Sequence, residues 1–136
     1  MRHGALIIAV LFLLGLWAVL AHAAGAPGVA VTHHGKLLFR IRDDAGGYTK
    51  EQRAAEVEAR LVLAMTEEFE TNDVNVIPDH VRVVPKGRDR ALMAGSILVV
   101  TITPADARSN HTTPDGLARI WLKRMISVLD EATKGS

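Results

Sequence analysis

Ile97-Leu98-Val99-Val100-Thr101-Ile102-Thr103-Pro104-Ala105-Asp106 is the stretch whose reading decides the fold. Ile97 to Ile102 is almost wholly apolar and rich in β-branched residues, the pattern of a central strand buried on both faces. Thr103-Pro104 stops it. A threonine hydroxyl can accept from the free N–H groups of a helix start, proline gives up an N–H that such a start does not use, and Asp106 places an acid in the first turn. Strand thus passes into helix within ten residues.

Upstream of this junction, His80-Val81-Arg82-Val83-Val84 reads as a strand and Pro85-Lys86-Gly87-Arg88-Asp89-Arg90 as a turn. Ala91-Leu92-Met93-Ala94 then pairs back before Gly95-Ser96. Downstream, Thr113-Pro114-Asp115 repeats the helix-start device, and Leu117, Ile120, Trp121, Met125, Val128 and Leu129 follow helical spacing, with Gly135 marking the end.

Earlier in the chain, residues 29–42 (VAVTHHGKLLFRIR) predict a hairpin turning at His34-Gly35, with Leu37, Phe39 and Ile41 forming the apolar face of its second strand. Asp43-Asp44-Ala45-Gly46-Gly47 breaks the pattern. Thr49-Lys50-Glu51-Gln52 fits a capping box, and Ala54, Val57, Leu61, Ala64 and Met65 share one helical face up to about Glu70. Val74 to Pro78 carries a short alternation cut off by proline. The order is β-β-α-β-β-β-α-α: an α+β domain over residues 29–133, a mostly antiparallel sheet with helices packed on one face.

Residues 1–23, MRHGALIIAVLFLLGLWAVLAHA, are of another kind. Arg2 and His3 precede an apolar run over residues 4–21, and Ala21-His22-Ala23 has the small-x-small form of a signal peptidase site. The cleavage motif predicts a removed signal peptide followed by a short linker at 24–28. The length of the run, close to the ~20 residues that span a bilayer, predicts an uncleaved anchor in the inner membrane. Either reading exports the rest of the chain to the periplasm or beyond.

Composition closes several classes. The chain of 136 residues has a formal net charge of +1 and no cysteine. Zero cysteines rule out a disulfide scaffold, cysteine-bound zinc and a thiol nucleophile. Without residues 1–23, Arg2 is the one charge lost, so 16 Lys and Arg fall to 15 against 15 Asp and Glu. That balance, with 4% aromatic residues, argues against a nucleic-acid partner. Membrane contact is expected only through the N-terminal segment.

Few residues ask for chemistry. His33 and His34 are adjacent on a strand and point to opposite faces, and no metal-ligand spacing surrounds them or His80 and His111, so no metal is expected. Asp43 and Asp44 precede two glycines, where aspartate commonly satisfies a turn. Ser96, Ser109, Ser127 and Ser136 fit no nucleophile motif, and no phosphate-binding glycine loop occurs, so no cofactor is expected. A hydrolase would have to unite His80 or His111 with Asp43 or Asp44. The densest basic stretch is Arg82, Lys86, Arg88 and Arg90, a candidate patch for an anionic headgroup or a partner; Arg40 and Arg42 share a strand face and could extend it.

Four stretches carry a resemblance: Gly35-Lys36-Leu37-Leu38-Phe39-Arg40-Ile41-Arg42, Gly46-Gly47-Tyr48-Thr49-Lys50-Glu51-Gln52-Arg53-Ala54, Val81-Arg82-Val83-Val84, and Val99-Val100-Thr101-Ile102-Thr103-Pro104-Ala105-Asp106-Ala107, with Trp121 in the closing helix. Together they resemble the small extracytoplasmic domain that precedes the membrane segments of some proteins of the small-conductance mechanosensitive channel (MscS) superfamily. The resemblance spans about residues 28–132. Those proteins continue into pore helices and a cytoplasmic β-domain, and no match to either follows here, so channel activity does not carry over. It implies an accessory or sensing module without transferable catalytic residues. The expectation is an exported, non-enzymatic module that binds an envelope or membrane protein.

Overall fold

The computed structural model describes residues 27–67 and 80–134. The export segment, most of the linker, the Glu70 helix end, the Val74–Pro78 stretch and Gly135 lie outside those residues. Within them the elements are β1 (Val29–His33), β2 (Lys36–Ile41), α1 (Lys50–Glu67), β3 (Val81–Lys86), β4 (Asp89–Ala94), β5 (Ile97–Ile102), α2 (Pro104–Ser109) and α3 (Pro114–Lys134). The α+β order is the one the sequence predicts. No helix among the described residues is long and apolar enough to cross a membrane.

The strands form two antiparallel sheets rather than one: the β1-β2 hairpin and a three-stranded sheet in the order β3-β4-β5. His34 at φ 47° and Gly35 at φ 74° make the two-residue turn of the first hairpin, both in the left-handed region that such turns require. The ladder slips after Val31↔Phe39, since Thr32 pairs with Leu37. Leu38 is therefore the extra residue of a bulge. This corrects the expected alternation: Leu38 turns inward and is buried, while Leu37 is exposed.

Among the described residues β5 is an edge strand, not a central one. Its Val99, Val100 and Ile102 are nonetheless buried, because α1 packs against β5 as well as β1 and β2. Among the described residues a helix thus stands where a further strand would pair. β3 is the opposite edge, which accommodates Pro85 within the strand. The predicted Pro85–Arg90 turn shrinks to Gly87-Arg88, since Lys86 pairs with Asp89 and Pro85 with Arg90.

α3 packs against β2, β3 and β4. It buries Leu117, Ala118, Trp121, Met125, Val128 and Leu129, an arc of about 120° at 100° per residue. Ile120 lies about 60° outside that arc and is 60% exposed, so its expected core position is not taken. Trp121 stacks on Phe39 with ring centroids 4.1 Å apart and planes within 5°. That stack ties the hairpin to α3 and joins the two sheets in one core.

Candidate functional site

The site is built around the first turns of α1. Thr49 and Gln52 form the predicted capping box: the Gln52 N–H donates to Thr49 Oγ1 (3.2 Å) and the Thr49 N–H to Gln52 Oε1 (2.9 Å). The Lys50 N–H donates to Asp44 Oδ1 at 2.8 Å. Ahead of them Ala45 and Tyr48 exchange two backbone hydrogen bonds of 3.0 Å around Gly46-Gly47. These bonds fix the loop that carries Tyr48, whose ring is 58% exposed.

Arg53 is on the buried face of α1, one turn before Val57 and two before Leu61. Its guanidinium makes a bidentate pair with Asp106, both contacts 2.8 Å. It also donates to the carbonyls of Asp43 (2.5 Å) and Thr101 (3.1 Å). Asp106 Oδ2 in turn accepts from the Thr103 N–H and hydroxyl, each at 2.9 Å, while the Asp106 N–H donates to Thr103 Oγ1. Arg53 is 9% and Asp106 1% exposed, so each charge is desolvated and each is answered by the other and by backbone. One junction thereby clamps α1, β5, α2 and the β2–α1 loop.

The sequence reading misses this pair. Its signal was present: Arg53 is a charged residue at the apolar positions 53, 57, 61 and 64 of an amphipathic helix, which demands a buried partner. Its partner is the first-turn acid of the Thr103–Asp106 stretch.

Beside the junction a cleft of about 340 Å³ opens between α1 and the three-stranded sheet. Val57, Leu98 and Val100 give it apolar walls; Tyr48, Glu56, Arg60, Lys86 and Asp89 supply polar ones. Glu56 and Arg60 pair with each other at 2.9 Å. Lys86 takes part in none of the ion pairs among the described residues.

The predicted basic patch is divided. Arg82 and Lys86 alternate onto one face of β3, opposite Met93 and Asp89 of β4, and Arg88 is exposed in the turn. Arg90 sits on the other face, paired with Pro85 and Ile102. There it forms a bidentate ion pair with Asp115 of α3, at 2.5 and 2.9 Å. Hydrogen bonding to that guanidinium holds the Asp115 carboxyl below its usual range. Arg82 donates to the Gly95 carbonyl at 2.8 Å, and Arg40 to the Gly28 carbonyl at 3.1 Å.

The histidines and aspartates of the hydrolase reading have local tasks. Asp44 caps α1, the Asp43 carbonyl receives Arg53, His111 holds a left-handed turn at φ 54°, and the His80 carbonyl accepts from the Gly95 N–H. The cleft is lined by none of the four. His33 is buried, its ring edge-on to His34 at 4.3 Å and its Nε2 unpartnered. Burial, and secondarily the His34 charge, pushes the His33 pKa below its ordinary value. Among the described residues no group of three His, Asp or Glu side chains could hold a metal.

A model of the family described as a domain of unknown function, DUF8459, matches residues 30–132, from β1 to the last turn of α3. The chain belongs to the DUF8459 family. Neither a curated protein nor a solved structure matches it. In this DUF8459 domain the match takes in Arg53, Asp106 and every wall of the cleft.

Proposed function

We propose that the DUF8459 domain is a non-catalytic binding module of the bacterial envelope, and that the cleft between α1 and the three-stranded sheet is its binding surface. The observation that carries the reading is the division of labour along that cleft. The buried charge on its lining, Arg53, is spent on Asp106, whereas its apolar walls and outer polar groups border an opening of about 340 Å³. Pockets that take ligands have this make-up, with apolar walls and a few oriented polar groups, and run from ~300 to 1,000 Å³. The opening is at the small end, suited to part of a segment from a larger partner. Export rests on the leader-like residues 1–23, and the resemblance to an extracytoplasmic accessory domain points to an envelope or membrane protein as partner.

The test is site-specific photocrosslinking in the native host. A crosslinking residue replaces Tyr48, exposed at the cleft, and in a second protein Ile120, similarly exposed on α3 and no part of the cleft. One recurrent envelope-protein adduct from position 48 and none from 120 is the expected result. Identical adduct patterns at both positions, or none at either, would contradict the reading. The cleft is lined by none of His80, His111, Asp43 and Asp44, so it lends a hydrolase reading on them no support.

A further inference from the structure

The face that continues from the cleft has a charge bias that the whole domain lacks. Residues 24–136 carry equal numbers of basic and acidic side chains. On the outer face of the three-stranded sheet, however, Arg82 and Lys86 align on β3, with Arg88 at the adjoining turn. Asp89 is their only acidic neighbour on β4. Glu56 and Arg60, on the α1 wall, cancel. The face and cleft together hold an excess of two positive charges, and Lys86 and Arg88 are exposed. Beneath them the same sheet face is apolar: Val84 pairs with Ala91, and Met93 with Leu98. Leu98 continues into the cleft.

We infer that the cleft takes a short acidic, amphipathic peptide segment of a partner protein. Its apolar side chains rest on Leu98 and on Met93 and Val84 of the adjoining sheet face, and its carboxylates face Lys86 and Arg88. The inference rests on the binding reading above and adds the chemistry of the occupant. Charge complementarity selects the acidic partner, because a basic segment would bring like charges against Lys86 and Arg88. The part-exposed Leu98 of the cleft, continuous with Met93 and Val84 on the same sheet face, selects a segment with hydrophobic side chains over a free anion, which would leave them facing solvent. The size of the opening selects a segment over a folded surface, since stable contacts between folded proteins bury ~800 Å² on each side.

The probes are three synthetic nonapeptides that alternate leucine or valine with glutamate, with glutamine or with lysine, and vesicles rich in phosphatidylglycerol. Binding is measured by fluorescence anisotropy, or by co-sedimentation for vesicles, against the full domain and two variants. The glutamate peptide is expected to bind best. The double variant Lys86→Glu/Arg88→Glu is expected to weaken it roughly tenfold, with a shallower salt dependence, and to gain affinity for the lysine peptide. Leu98→Ser is expected to weaken the glutamate and glutamine peptides alike. Both variants are checked by melting temperature, and the charge variant alters only exposed side chains.

Equal binding of the glutamate and glutamine peptides, insensitive to the charge variant yet lost in Leu98→Ser, would overturn the acidic occupant and leave the binding reading standing. Binding to vesicles alone would overturn both, in favour of a lipid-headgroup surface. Binding to none of the probes would overturn the acidic peptide, while crosslinking from position 48 would still decide the broader reading.

Discussion

Two polar regions border the cleft, and they differ in kind. At the inner end, Arg53 and Asp106 are buried and satisfy each other, two carbonyls and a helix cap. At the outer end, Lys86 and Arg88 are exposed at the mouth of the cleft and on the turn beside it. The difference teaches how the residues divide: charges that answer one another inside the chain hold the fold, and charges left facing outward are those a partner can use.

The comparison breaks most sharply if the inner pair can be removed at little cost. Asp106→Ala should destabilise the domain by about 3–5 kcal/mol, because it strands a buried guanidinium and strips the α2 cap. Replacing both partners with apolar residues, Arg53→Met with Asp106→Leu, should recover a good part of that loss. Chemical denaturation of the three proteins gives the answer; a near-native Asp106→Ala would mean the junction carries no weight. Trp121→Ala, which removes the stack on Phe39, should cost about 3–5 kcal/mol through its cavity without touching the polar network. It calibrates the junction against ordinary core packing.

A smaller effect separates buried from exposed charge by pH. His33 is held neutral in the fold, with its pKa below the ordinary 6.5, chiefly by burial. The unfolded chain therefore takes up a proton first, and stability falls as pH drops below about 6.5, while above it the curve is flat on this account. The slope cannot exceed that of one proton, about 1.4 kcal/mol per pH unit. Asp115 and Glu131, held below their usual range by Arg90 and Lys36, add their own losses only at lower pH. Melting curves from pH 8 to 5 should show the decline, and His33→Leu should flatten it. The smallest effect belongs to the outer end: Lys86→Glu should leave stability within about 0.5 kcal/mol of the parent.

What could be read from the sequence follows from where the determinants lie. The capping boxes, the His34-Gly35 turn and the spacing of Leu117, Trp121, Met125 and Leu129 are local, so element order and type were legible. Three features were not, because each depends on contacts distant in sequence. The Leu38 bulge reverses the alternation of β2 through the pairing of Thr32 with Leu37. β5 reads as central because α1 buries it as a strand would. Arg53 and Asp106 are 53 positions apart, and their pairing shows in the sequence only as a charge on an apolar helical face. The basic patch was half legible: strand alternation alone puts Arg90 on the opposite face from Arg82 and Lys86 once the turn is known to be two residues long.

The central claim is that the cleft takes an acidic, amphipathic segment of a partner. It is tested most directly by titrating the isotopically labelled domain with the glutamate nonapeptide and following backbone amide shifts. Saturable shifts confined to Tyr48, Val57, Leu98 and Thr101 and the turn at Arg88, with Ile120 and its neighbours on α3 unmoved, are the result predicted. Shifts centred on α3, or none up to millimolar peptide, would contradict it.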